Sequence, residues 1–316
     1  MPTLKEIKGR IGSVKSTLKI TSAMKLVSSA KLRKAQNAIE AMRPYEKALQ
    51  DMLASLQGSE ISPLASLGRN DNEAVSVISG DNLVISSAVE KSLPTAIVAI
   101  ASNSSLCGGF NANVIAKVRS VRRPGDVVFS IGRKMADAMQ KDGFPSPRNF
   151  TQLSEHPAYA PAAQLVEDLA EDMEKGRYSQ VLLVYTHFVS TARQVPVVEV
   201  LLGKAESEAE GNYFSQGFAK NQFPSAKERN SGPEDIIIEP GRKELLKELR
   251  PKTLKLKLYA ALLDSAAAEH AARTVAMQTA TDNAENLLQE LTLQYNKGRQ
   301  QKITNEILDL AGGQTE

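Results

Sequence analysis

KTLKLKLYAALLDSAAAEHAARTVAMQTATDNAENLLQELTLQYNKGRQQKITNEILDLA, residues 252–311, contains no proline and a single glycine, Gly298. Apolar or small side chains recur in steps close to four and three: Tyr259, Leu263, Ala266, then Met277, Ala280, Ala284, Leu287, Leu291, and later Ile303, Ile307, Leu310. That period is helical, heptad-like, and out of reach of a strand. A helix of this length runs about 90 Å, far more than a compact domain of this size needs. Ten alanines between Ala260 and Ala284 keep the stripe narrow, so another backbone can approach closely. Pro251 fits the first helical position, where its missing N–H costs nothing, and Gly312-Gly313 ends the run.

A rod with an apolar stripe needs a partner, and the other end of the chain offers one. Between Thr3 and Leu56 apolar residues fall at Leu4, Ile7, Ile11, Val14, Leu18, Met24, Val27, Ala35, Ala38, Met42, Leu49, Met52 and Leu56. The spacing is again near 3.5, with one slip near Thr21 and another around Lys31. Pro44 should kink this helix or leave the Glu40 carbonyl unpaired. Two long helices at opposite ends predict an antiparallel coiled coil, with the middle of the chain as a separate body. The division expected is an N-terminal helix over 1–58, a middle domain over 59–240 and a C-terminal helix over 241–316.

The middle changes character. Ser59–Glu73 is rich in Ser, Gly, Pro and Asn and reads as linker. Short apolar runs then alternate with amphipathic stretches. Strands are expected at Thr95–Ala101, Asp126–Ile131, Gln180–His187 and Val195–Leu202, and helices at Asn111–Val121, Arg133–Lys141 and Ala162–Lys175. This order argues a parallel-leaning, Rossmann-like α/β domain with helices on its faces, so the chain as a whole is α+β or α/β. Leu83–Val89 reads as an added edge strand. Residues 203–234, with four glycines and Tyr213, Phe214, Phe218 and Phe223 in no clean period, read as an insertion.

Composition sets limits on function. Apolar content is ordinary at 42%, but aromatics make up only 5% and tryptophan is absent, which alanine-rich helix pairing accounts for in part. No apolar run approaches the ~20 residues that would cross a bilayer. Met-Pro-Thr-Leu leads straight into charged helix rather than a secretory apolar region. A single cysteine, Cys107, excludes an internal disulfide framework. The net charge of +3 is uninformative, but residues 1–50 carry eleven Lys or Arg against three Glu. This basic helix is either a solvated face or a docking surface for acidic protein. It lacks the aromatic residues that stack on single strands or anchor at membranes.

No active site assembles from the sequence. SNSSLCGGFN (Ser102–Asn111) lies between a strand and a helix, where phosphate-binding loops sit. It matches neither G-x-G-x-x-G nor G-x-x-x-x-G-K-[ST], so a tight turn that needs Gly108-Gly109 is the better reading. His156, His187 and His270 are scattered and form no metal-ligand pair. Glu167/Asp168 and Glu171/Asp172 read as helix-surface charges.

Three stretches carry a resemblance. IKGRIGSVKSTLKITSAMKLVSSAKLRKAQ (Ile7–Gln36), the loop Ser102–Asn111, and EHAARTVAMQTATDNAENLLQELTLQYNKGRQQKITNEILDL (Glu269–Leu310) together resemble the gamma subunits of F-type ATP synthases. The terminal motifs cover about seventy residues, and the middle is only loosely similar. The chain departs from the family pattern around 70–94 and 203–234, where it is longer. It also lacks the cysteine pair of the redox-regulated chloroplast form.

The resemblance implies a non-catalytic rotor. The terminal helices would stand inside a hexamer of three alpha and three beta subunits. The middle domain, with the epsilon subunit, would seat on the membrane ring of c subunits, at the cytoplasmic face of a bacterial inner membrane. No cofactor or metal is implied. Position by position, the match places Met24 and Lys25 beside an acidic segment of the catalytic subunits. It places Arg273, Arg299, Gln300 and Thr304 against loops of the hexamer. Lys5, Lys8 and Arg10 match more weakly. Two other classes stay open on the residues alone. One is an α/β nucleotide-binding protein with helical arms, which would bind nucleotide saturably. The other is a coiled-coil scaffold or basic-helix binding protein, whose association with nucleic acid would fall steeply with salt.

Overall fold

The computed structural model describes residues 3–57, 93–148, 150–203 and 241–312. Two helices dominate it: α1 (Leu4–Gln57) and α6 (Arg242–Gly312). Between them in sequence lie β1 (Ala96–Ile100), α2 (Phe110–Val121), β2 (Val127–Ile131), α3 (Arg133–Lys141), α4 (Thr151–Glu155), α5 (Tyr159–Glu174), β3 (Gln180–Phe188) and β4 (Gln194–Gly203). The expected strand at Leu83–Val89, the linker, and the insertion beyond Gly203 fall outside the described residues.

The terminal helices pair antiparallel. Leu4 packs against Gly298, where an added Cβ would lie 3.1 Å from Leu4 Cδ2. Thr21 meets Thr281, Leu32 packs with Ala267 and Ala271, and Leu49 and Leu53 cluster with Leu249. The inward face of α1 is an unbroken heptad. Leu4, Ile7, Ile11, Val14, Leu18, Thr21, Lys25, Ser28, Leu32, Ala35, Ile39, Met42, Glu46, Leu49 and Leu53 are all buried or half-buried, in strictly alternating steps of three and four. The two slips inferred from sequence are therefore absent. Thr21, Lys25 and Ser28 occupy the seam where Met24 and Val27 were expected, and Val27 is 56% exposed. Ile20, Met24 and Val27 form a second stripe one residue out of step, which turns it about 100° around the helix.

Pro251 is a second correction. It lies inside α6, not at its first turn, and the helix begins at Arg242. An internal proline costs about 3 kcal/mol, since Lys247 loses its N–H partner and the ring crowds the preceding turn. Leu249, with Leu245 and Leu246 beside it, packs on Leu49 and Leu53. Burial of such leucines contributes about 2 kcal/mol each, enough to carry the helix through the proline.

The middle domain is one sheet of order β2-β1-β3-β4. β1 runs parallel to both neighbours, and β4 returns antiparallel to β3. The pleat of β1 sends alternate side chains to two cores. Ala96, Val98 and Ile100 pack with Leu165 and Leu169 of α5 and with Leu258 and Leu262 of α6. Ile97 and Ala99 pack with Val114 and Val118 of α2 and with Met135 and Met139 of α3. Thus α6 belongs to both parts of the molecule, as one strand of the coiled coil and as a covering helix of the sheet.

Candidate functional site

The alanines of α6 serve two partners. Ala267 and Ala271 face Leu32 of α1, while Ala268 and Ala272 pack with Cys107 and Phe110 of the loop after β1. An added Cβ on Gly108 would lie 3.8 Å from Ala276 Cβ, so the loop backbone rests on the helix. Gly108 takes φ +56, a conformation that side chains disfavour.

The loop is held rigidly. Asn111 Oδ1 accepts from the Ser102 backbone N–H at 3.1 Å, and the Asn111 amide donates to Cys107 Sγ at 3.1 Å. Asn103 accepts from the Arg133 backbone N–H at 2.9 Å and donates to the Thr151 carbonyl at 2.8 Å. Behind it, Gly132 packs so tightly that a Cβ would fall 2.1 Å from the Ala101 carbonyl oxygen. Hence the loop is a brace between sheet and shaft.

Arg273 completes the brace. Its guanidinium pairs with Glu269 one turn earlier at 2.8 Å and reaches the Ser105 carbonyl at 3.5 Å. Arg273 and Glu269 are both 8% exposed. Burial raises the Glu269 carboxyl above its usual range, and Arg273 opposes that shift. Next to them His270 has a buried, unpartnered Nδ1, and burial, reinforced by Arg273 and Lys31, lowers its pKa to about 4.

A second group fastens the sheet to α6. Tyr185 donates to Glu199 at 3.0 Å, Lys257 pairs with Glu199 at 3.2 Å and donates to the Val200 carbonyl at 2.9 Å, and His187 contacts Asp264. Asp264 also accepts from the Phe188 backbone N–H at 3.1 Å. The hydrogen bond to Asp264 raises the His187 pKa against the opposing effect of burial. Sequence reasoning missed this group because its members lie far apart in the chain. The available signal was Lys257 and Asp264, two charges interrupting the apolar face of α6.

The remaining expected site residues lie apart from this brace. Met24 and Lys25 are half-buried beside the exposed Ile20, Leu26 and Val27. Arg299, Gln300 and Thr304 are exposed on α6 beyond the level of Leu4, where α1 has ended. Ile303, Ile307 and Leu308 are exposed there too, at 47%, 60% and 61%. The heptad pattern continues past its partner.

Among the described residues no group of His, Cys, Asp and Glu could hold a metal, and no helix is long and apolar enough to cross a membrane.

The sequence matches the ATP synthase family over residues 3–315. It is 42% identical to the ATP synthase gamma chain of Phocaeicola vulgatus, covering 99% of both chains. It is 41% identical to that of Bacteroides thetaiotaomicron, again over 99% of each. The chain belongs to the ATP synthase gamma-chain family. As a gamma chain it is a central-stalk subunit of an ATP synthase and not the subunit that performs the chemistry. Its fold is similar to the rotor of Euglena gracilis mitochondrial ATP synthase, with a TM-score of 0.62 at 19% identity over 95% of this chain and 98% of that one. It is likewise similar to a chain in the central stalk and c-ring structure from Tetrahymena thermophila, with a TM-score of 0.52 at 21% identity over 83% and 99%. At those identities the likeness is one of fold alone.

Proposed function

We propose that this gamma chain works as the axle of a rotary ATP synthase at the cytoplasmic face of a bacterial inner membrane. The paired helices α1 and α6 stand in the cavity of the alpha–beta hexamer, and the middle domain, with epsilon, sits on the c-ring. We treat 1–58 and 241–316 as the shaft and 59–240 as the body. The observation that carries this reading is the overhang of α6. Residues 299–308 are exposed throughout and include Ile303, Ile307 and Leu308. A single helix with apolar residues on its surface calls for an enclosing partner, and a surrounding collar supplies one without a fixed bonded interface.

Torque then acts through differential contact. One orientation of a lopsided shaft favours one conformation of each surrounding subunit, and turning the shaft shifts those populations in sequence. Met24, Lys25, Arg299, Gln300 and Thr304 make the contacts with the hexamer, and the Ile20–Met24–Val27 stripe widens the first of them. Arg273, whose guanidinium is engaged by Glu269 and Ser105, contributes by keeping the shaft square to the body. The brace at Gly108 and the Tyr185–Glu199–Lys257 group transmit rotation from sheet to shaft.

The test is reconstitution. Tagged chain should co-purify with alpha and beta subunits as a hexamer and restore ATP-driven proton pumping to vesicles lacking gamma. Saturable nucleotide turnover by the purified chain, or salt-sensitive binding to DNA with the ATPase subunits left untouched, would replace this reading with another.

A further inference from the structure

The end of β3 is fastened to α6 through one carboxylate. Asp264 accepts from the Phe188 backbone N–H at 3.1 Å and meets His187 Nδ1 with its other oxygen. The two side chains are largely enclosed, His187 at 24% exposure and Asp264 at 18%. The ring of Phe188 packs with Leu32, Ala267 and Ala271 on one side and with Cys107, Phe110 and Ala268 on the other. Asp264 therefore holds in place the side chain wedged between both helices of the shaft and the loop after β1.

The charges around this point balance only if His187 is a cation. Three carboxylates gather from three elements: Asp264 on α6, Glu199 on β4 and Glu46 on α1, with Glu46 in electrostatic reach of the other two. Two permanent cations answer them. Lys257 of α6 pairs with Glu199 at 3.2 Å, and Arg43 of α1 acts on Glu46 and on His187. Tyr185 is a neutral donor to Glu199 at 3.0 Å, and burial beside carboxylates keeps its hydroxyl protonated. Asp264 is left to His187, whose ring can be charged or neutral near physiological pH.

We propose that His187 and Asp264 form a proton-operated latch between body and shaft, closed by the imidazolium and loosened when the ring is neutral. The direction of titration agrees. The hydrogen bond to Asp264 raises His187 above its ordinary 6.5, burial opposes it, the charges of Asp264 and Glu199 add to the rise, and Arg43 subtracts from it. A raised folded pKa contributes stability that is complete below the ordinary value and is lost as pH rises through the folded one. Glu46, raised by burial, and Lys257, lowered by it, also titrate differently in the folded chain. The latch is therefore read at His187 itself and not from overall stability.

NMR of the imidazole groups of the full chain tests it, with His187→Asn identifying the signal among the three histidines. His187 should titrate above 6.5, and Asp264→Asn should bring it back to that value or below. Amide exchange reads the latch. Asparagine at this position keeps a donor for Asp264 but cannot take up a proton. Protection of the Phe188 amide, divided by that in His187→Asn at the same pH, should fall about fivefold as His187 loses its proton, the step from a charge-assisted to a neutral hydrogen bond. Titration of the parent at or below 6.5, which needs no variant to observe, would overturn the proposal. A Phe188 ratio that stays constant across the titration would overturn it too. The sample throughout is the free chain, so neither outcome depends on the axle reading.

Discussion

Thr21 of α1 and Thr281 of α6 face each other inside the coiled-coil seam, with their hydroxyl oxygens 3.0 Å apart and each residue 8% exposed. The Leu18 carbonyl lies 3.1 Å from one hydroxyl and the Met277 carbonyl 2.8 Å from the other, so either can still bond to its own helix. A polar pair in an apolar seam fixes register more than it stabilises. Thr21→Ala should therefore cost only about 1 kcal/mol, and Thr21→Val with Thr281→Val should be neutral or slightly stabilising. Urea denaturation of the parent, Thr21→Val, Thr281→Val and the double valine variant reads the coupling. A coupling indistinguishable from zero would mean that the two hydroxyls bond only to their own helices.

The Glu269–Arg273 pair behaves differently, because its charges are enclosed. Arg273→Ala leaves a buried carboxylate without its cation, and breaking such a pair costs about 3–5 kcal/mol. Replacing Glu269 as well should recover most of that loss. Stability of the free chain decides between brace and hexamer contact. An Arg273→Ala chain as stable as the parent, but slow once assembled, would restore Arg273 to the surface role that the family resemblance implied.

These two pairs mark what could and could not be seen in the sequence. The strands and helices of the body were legible because their apolar periods are strong, and α3 falls on Arg133–Lys141 as expected. The seam of α1 was misread chiefly between Leu18 and Leu32, and again where Ala38 and Met52 were taken in place of Ile39 and Leu53; Met52 is 52% exposed. Between Leu18 and Leu32 the true heptad carries Thr21, Lys25 and Ser28, and the apolar Ile20, Met24 and Val27 sit one position away, off the seam. A residue pattern records apolarity, and it does not distinguish burial within the chain from burial in a complex. Pro251 was placed at a helix start because its local cost is visible in sequence, whereas the leucine cluster that offsets it needs α1. Arg273 was legible as a motif residue, but Ser105, which gives it its place, is far away in the chain.

His270 makes a prediction about acid. Its folded pKa of about 4 lies below its ordinary value of 6.5, so on acidification the unfolded chain takes up the proton first. Its contribution is intact above the ordinary value and is lost as pH falls from there toward the folded one. After allowance for partial exposure, the loss is about 1–2 kcal/mol. Glu269 beside it has the opposite sign, because a carboxyl raised by burial favours the folded state as it protonates. The clean reading is the difference between parent and His270→Leu. The parent should lose stability relative to the variant across that pH interval, and a pH-independent difference would refute the assignment.

The overhang of α6 yields the most direct test of the axle. Arg299, Gln300 and Thr304 lie on its exposed surface, and Thr304 back-bonds to the Gln300 carbonyl at 2.9 Å, leaving the Arg299 and Gln300 side chains free for outside partners. The planar guanidinium of Arg299 can grip two acceptors at once, and a lysine cannot reproduce that. Arg299→Ala and Gln300→Ala should leave the free chain as stable as the parent, because exposed helix positions tolerate alanine. Assembly should also survive, since the rest of the shaft is unchanged. Turnover of the complex should fall, and Arg299→Lys should restore little of it. Leu291→Pro supplies the contrast. Leu291 is 6% exposed, and an internal proline costs about 3 kcal/mol or more, so that variant should break the shaft and abolish coupling between hydrolysis and proton pumping. Parental rates in both alanine variants would mean that the tip spins without touching the hexamer at these residues, and the contact would have to be sought at Met24 and Lys25 instead.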